Sequence, residues 1–208
     1  MPDNIFIILV LTILFYLIGS VPTAFLVIKF FHKKDITKEG SGNVGAMNSY
    51  DVSGSKKTGI FVFVIDFLKG LIPALIILVF LKIDFEIILL PLIALVTGHN
   101  FSVWIRFKGG RGLATAAGIL IILNYWTVII WCVLYLVSNL IKKNVHIGNS
   151  VATILLPFVL LLMNSQGFSS SQYSEIPNEI FNIFCSVLCL LILLKHISPI
   201  LSIIRKSK

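Results

Sequence analysis

Long uncharged apolar runs dominate this chain, and two glycine-rich polar loops interrupt them. The first run, Ile5 to Ile28, holds no charge over more than the roughly 20 residues that cross a bilayer. It is too long for a signal-peptide core and no small-residue cleavage site follows it, so it reads as a retained span. The loops are Gly40-Ser41-Gly42-Asn43-Val44-Gly45-Ala46-Met47-Asn48 and Lys108-Gly109-Gly110-Arg111-Gly112. Hydrocarbon excludes irregular backbone exposed to lipid, so both loops belong at an interface or on a cavity inside a helical bundle. Bare backbone N–H groups beside Arg and Lys there form a receptor for an anion such as phosphate.

The 208 residues are 57% hydrophobic and only 12% charged, with a mean hydropathy of +1.00. A soluble domain carries about a quarter charged residues, so this composition points to a membrane protein. Apolar runs place spans near 4–31, 59–81, 86–99, 112–124, 126–141, 149–163 and 180–201. The expected fold is an all-α, polytopic membrane helix bundle of about seven transmembrane helices forming one domain over 1–208. Gly19-Ser20 and Pro22 interrupt the first span, as a kink or as the lining of a polar cavity.

Net charge is +8, and its placement sets an orientation. Lys33, Lys34, Lys38, Lys56 and Lys57 follow the first span, and Arg106, Lys108 and Arg111 follow the third. Lys142 and Lys143 follow the fifth, and Arg205, Lys206 and Lys208 end the sequence. Alternate segments hold Lys82 with Asp3, Asp84, Glu86, Glu175 and Glu179. The positive-inside rule then predicts an external N-terminus and a cytoplasmic C-terminus. Basic residues dispersed in this way fit an anionic leaflet and argue against nucleic acid, which needs them on one soluble face. Cys132, Cys185 and Cys189 fall within apolar runs without metal-site spacing and read as buried small apolar residues.

Several polar residues could carry chemistry. Asp66 and Lys69 sit at i,i+3 inside the second span, where they can pair with each other or meet a ligand. Ser41, Asn43 and Asn48 offer hydrogen bonds in the first loop, and Gly40, Gly42 and Gly45 free its backbone. No GK[ST] follows, so it is not a nucleotide P-loop. His99 and Asn100 cap a helix or contact a ligand ahead of the second loop. In that loop Gly109, Gly110 and Gly112 precede a helix N-terminus beside Arg111, a strong arrangement for phosphate, with a positive-inside anchor plus a tight turn as the other reading. A His with an acid five positions on and a GxSxG elbow are both absent, so Ser–His–Asp hydrolysis is unsupported.

These motifs resemble those of the bacterial membrane acyl-phosphate:glycerol-3-phosphate acyltransferases. Gly40-Ser41-Gly42-Asn43-Val44-Gly45-Ala46 is similar to the family's first motif, followed in order by Gly54, Lys56-Lys57 and Asp66-Phe67-Leu68-Lys69-Gly70. Gly98-His99-Asn100-Phe101 through Gly109-Gly110-Arg111-Gly112 and Ala114-Thr115 resembles the second. The resemblance implies a seven-helix bundle in the bacterial plasma membrane with its motif loops facing the cytoplasm. It implies transfer of a fatty acyl group from acyl phosphate to the 1-hydroxyl of glycerol 3-phosphate, giving lysophosphatidate for phospholipid synthesis. It also implies no metal and no acyl-CoA, with membrane lipid and a soluble acyl-phosphate-producing enzyme as partners. By the same resemblance Ser41 contacts glycerol 3-phosphate, Arg111 (usually Lys in the family) bridges phosphates, and Ser150 is a donor contact. His196 matches the histidine of the third motif, which makes Ser41, Arg111 and His196 the catalytic candidates.

The chain departs from the family pattern at named positions. Met47 and Asp51 stand where the first motif has Thr and Arg, and Ile197-Ser198-Pro199 stands where the third continues Arg-Glu-Asn. Two alternatives follow beside the active enzyme. One is a weakened or non-catalytic member that binds phosphorylated lipid precursors or partners an active paralogue. The other is a transporter of a small phosphorylated anion, which intramembrane Asp66 and Lys69 with broken helices would also serve.

Overall fold

The computed structural model describes residues 2–80, 85–167 and 176–206, and these are helical throughout their regular structure. They divide into two compact units, Met1–Ile119 and Leu120–Lys208. Five helical segments are long and apolar enough to cross a membrane, or six when a bent C-terminal pair counts as one span.

In the first unit, α1 (Pro2–Ser20) and α2 (Thr23–His32) make up the first span, interrupted where Gly19-Ser20 and Pro22 are expected to break it. The break falls at Val21-Pro22, where proline has no N–H to continue the ladder. Pro22 has φ −87° and ψ 76°, and Thr23 donates its N–H to the Val21 carbonyl at 3.0 Å, which makes an inverse γ-turn. After the first loop come α3 (Ala46–Ser53) and α4 (Lys56–Leu75), the latter running into a short π-helix, Ile76–Phe80. Gly54 ends α3 in the left-handed conformation (φ 67°), and Ser55 caps α4 by accepting the Thr58 N–H. Helix α5 (Phe85–Asn100) and the start of α6 (Leu113–Lys142) complete the unit.

Small residues, not burial from water, decide how these helices meet, because lipid is as apolar as Leu. A Cβ on Gly19 would collide with the Leu95 carbonyl, and one on Gly98 with the Tyr16 carbonyl, so α1 and α5 cross antiparallel at close approach. Tyr16 seals their ends by donating its hydroxyl to the Phe101 carbonyl at 2.8 Å. Only 17% of the first span is buried, so exposed side chains such as Phe6, Leu9 and Ile13 face lipid.

The second unit holds the rest of α6, α7 (Val145–Ser165), α8 (Asn178–Leu194) and α9 (Ile197–Lys206). The segments expected at 112–124 and 126–141 are the two arms of α6, separated at Asn124, whose φ −164° and ψ 103° are extended. The span expected over 180–201 is also interrupted, since α8 and α9 meet at 46°. Asn144 caps α7 by accepting the N–H groups of His146 and Ile147. Cys185 and Cys189 are buried as expected, whereas Cys132 is exposed on the outer face of α6. Residues 168–175 of the external stretch expected at 164–179, like Lys82 and Asp84, lie outside the described residues.

Candidate active site

The first glycine loop is held by its own side chains. Asp35 accepts the Thr37 N–H at 3.0 Å and the Thr37 hydroxyl at 2.8 Å, with Lys38 at 3.8 Å. The Thr37 hydroxyl bond, helped by the charges of Lys38 and Lys108, holds the Asp35 carboxyl below its usual range. Asn48, buried on α3, accepts the Ser41 N–H at 2.9 Å. Its amide nitrogen donates to the carbonyls of Asn43 (2.9 Å), Glu39 (3.1 Å) and Ile36 (3.3 Å). Asn48 therefore spends its hydrogen bonds on bracing the loop. Gly40 is required beside it, with φ +57° and the Asn48 side-chain Oδ1 where a Cβ would stand.

Gly45 caps α3, so this loop ends at a helix N-terminus. Asn48, Ser49 and Val52 point inward, while Met47, Tyr50 and Asp51 are exposed. Asp51 thus lies outside the packed face of α3. Ser41 is exposed and Asn43 half-buried, with the Asn43 amide nitrogen over Gly45.

The second loop folds back on the end of α5. Ser102 donates its N–H to Lys108, and Phe107 donates to Ser102, while Arg106 and Phe107 adopt left-handed backbone (φ 57° and 58°). Gly110 then donates its N–H to the His99 carbonyl at 3.0 Å, and the His99 ring lies so close that a Cβ on Gly110 would meet Nε2. Gly112, buried at φ +84° near Asn100, opens α6. Val44 donates its N–H to the Gly109 carbonyl at 3.3 Å. This bond unites the two loops, each of which ends at a helix N-terminus with its partial positive charge.

Beneath the junction lies a small polar cluster. Lys69 Nζ is 2.9 Å from Asp66 Oδ1 and donates to the Val21 carbonyl at 2.7 Å. His99 Nδ1 is 3.8 Å from the same carboxylate oxygen. The Thr115 hydroxyl donates to the Asp66 carbonyl at 3.0 Å, which fixes α4 against the start of α6. Asp66, Lys69 and His99 border a cavity of about 10 Å³ that also meets Thr23, Ser102, Gly109 and Gly110. That is room for one water molecule. Thr23 Oγ1 is buried there without a hydrogen-bond partner among the described residues. Burial also lowers the Arg111 guanidinium from its usual value by desolvation, yet it stays cationic. A partly desolvated cation gains from an anion that replaces its lost water.

The glycerol-3-phosphate acyltransferase family matches residues 9–206. The chain belongs to this family. It is similar to "Glycerol-3-phosphate acyltransferase 2" of Bacillus anthracis, 42% identical over 144 residues that cover 69% of this chain and 74% of that protein. It is also similar to the crystal structure of PlsY (YgiH), an integral membrane glycerol 3-phosphate acyltransferase, in its glycerol 3-phosphate form. The TM-score is 0.78 at 32% identity, covering 97% of this chain and 94% of that one. The lysophosphatidic acid form gives a TM-score of 0.76 at the same identity, covering 97% and 93%.

Among the candidates in this member of the acyltransferase family, the first unit brings Gly109, Gly110, Lys69 and His99 together around one cavity, beside the first loop that Gly40 and Asn48 brace. Ser150 and His196 belong to the second unit. Ser150 is buried and donates its hydroxyl to the His146 carbonyl at 2.9 Å. His196 is fully buried at the α8–α9 junction with Nδ1 2.8 Å from the Ile192 carbonyl. A carbonyl only accepts, so Nδ1 carries a proton in this bond. Sequence reasoning missed Thr23 and Ser102, although Pro22 marks the break that buries Thr23.

Proposed function

We propose that this protein transfers a fatty acyl group from acyl phosphate to the 1-hydroxyl of glycerol 3-phosphate, forming lysophosphatidate. The Val44–Gly109 bond is the observation that carries this reading, because it joins two glycine loops at two helix N-termini beside Arg111. That is a receptor for phosphate, and both reactants carry one. Family membership and the glycerol 3-phosphate and lysophosphatidic acid forms of PlsY support the choice of substrate and product.

Acyl phosphate is an activated mixed anhydride, so the protein has chiefly to align it. The glycerol oxygen bonds to the acyl carbon, the bond to the phosphate oxygen breaks, and the hydroxyl proton leaves with phosphate. Holding both reactants in contact can supply about 7–11 kcal/mol of the barrier. Backbone N–H groups of the 109–112 loop and Arg111 would stabilise the charge that grows on the departing phosphate. Family resemblance assigns further contacts to Ser41, Ser150 and His196.

The reaction belongs at the cytoplasmic face of the bacterial plasma membrane, with the N-terminus outside and the C-terminus inside. The positive loops support that orientation, which requires an odd number of crossings. A soluble enzyme that makes acyl phosphate supplies the donor. Purified protein given acyl phosphate and labelled glycerol 3-phosphate should form lysophosphatidate and inorganic phosphate one for one, and acyl-CoA should not replace the donor. Product no higher than with Arg111→Ala and His196→Ala variants contradicts the reading.

A further inference from the structure

We propose that Lys69 is a positioning residue, whose ammonium pins the Val21 carbonyl at the helix break and so sets where the two glycine loops meet. Its side chain is only 9% exposed, and two of its donors are directed at Asp66 Oδ1 (2.9 Å) and Val21 O (2.7 Å). The Val21 carbonyl would serve a helix ladder if α1 and α2 were continuous. Pro22 breaks that ladder, and the carbonyl instead accepts the Thr23 N–H and the Lys69 ammonium. Lys69 thus satisfies the backbone that the proline turn leaves exposed within a span, where an orphaned carbonyl is costly. Asp66 neutralises the cation, so the pair sits at membrane depth without net charge.

The consequence reaches the loops through α2. Ala24 and Ile28 on α2 pack in one apolar cluster with Ile36, Val44, Val52 and Val62. Two polar ties hold the far end of α2, since His32 Nε2 meets the Thr58 hydroxyl at 3.2 Å and Lys34 donates to the Val52 carbonyl at 3.0 Å. Val44 is therefore seated on the helix whose direction the turn at Pro22 determines. Its backbone N–H makes the bond to Gly109. Lys69 acts on the phosphate receptor through Val21, α2 and Val44 in succession.

The test is a double-mutant cycle of Lys69→Met and Pro22→Ala, with Lys69→Arg as the conservative variant. Hydrogen exchange in the detergent-solubilised protein reads the 40–48 and 109–112 amides directly and does not depend on activity. Each single variant should exchange in these segments at least tenfold faster than the parent, the double variant no faster than the worse single one, and Lys69→Arg close to the parent. Unchanged loop protection in Lys69→Met, or effects of the two changes that multiply, overturns the proposal. The kinetic arm rests on the acyltransferase reading. There KM for glycerol 3-phosphate should rise more than kcat falls, equally in both single variants. A KM increase in Lys69→Met with undisturbed loop exchange makes Lys69 a direct substrate contact and also overturns it.

Discussion

Val44 gives its backbone N–H to the Gly109 carbonyl across 3.3 Å, and that bond brings two glycine motifs distant in sequence together. Gly110 is next in line, its N–H on the His99 carbonyl and the His99 ring where a Cβ would stand. Gly110→Ala drives a methyl group into the imidazole and must displace either the ring or the loop. The expected cost is about 100-fold in kcat/KM, as for a misplacement of roughly 1 Å. Steady-state rates beside a circular dichroism spectrum with unchanged helix content check it.

Arg111 supplies fixed charge where the two loops join. Arg111→Ala should remove about 1.5–3 kcal/mol of charge-assisted hydrogen bonding, roughly 10- to 150-fold in kcat/KM. Arg111→Lys keeps the charge and should retain most activity, losing only what a bidentate fork contributes. Initial rates at varied glycerol 3-phosphate separate the two variants.

Much of this arrangement is legible in the sequence because it is local. Apolar runs give the helices, Pro22 gives the break, and the i,i+3 spacing of Asp66 and Lys69 gives their ion pair. Pairing of Val44 with Gly109 is not legible, since it depends on how α2 carries the first loop toward the second. The role of Asn48 is hidden for a similar reason. An Asn among glycines suits a ligand as well as it suits neighbouring carbonyls, and only the folded loop shows that its amide faces Ile36, Glu39 and Asn43. The boundary expected between the spans at 112–124 and 126–141 falls at Asn124, whose extended backbone separates the two arms of α6 without a Gly or Pro.

Asp51 tests what the charge reversal in the first motif does. It is exposed on α3, beside Met47 and Tyr50 and away from Asn48, Ser49 and Val52. Asp51→Asn should change stability by no more than about 0.5 kcal/mol, as for an ordinary surface position. Asp51→Arg adds a cation near the loop and should lower KM for glycerol 3-phosphate by about 2- to 10-fold at low ionic strength, an advantage that salt erodes. Kinetics at two salt concentrations read both effects.

Asp35 gives the first loop a pH dependence. Folding holds its carboxyl below the unfolded value through the Thr37 hydrogen bonds and the nearby Lys38 and Lys108 charges. The folded state therefore favours the ionised form. Its stabilisation is present in full above the unfolded pKa and is lost as pH falls through the lower folded value. Local exchange of the 35–42 amides, corrected for intrinsic rates, should rise in acid in the parent protein. Asp35→Asn should flatten that dependence.

The most direct test of the receptor is equilibrium binding of labelled glycerol 3-phosphate to the purified protein, its Gly110→Ala variant and its Arg111→Ala variant. Saturable binding that either substitution weakens at least tenfold, and that inorganic phosphate displaces, is the predicted result. Binding of equal strength in all three proteins would contradict a phosphate site at the Val44–Gly109 junction.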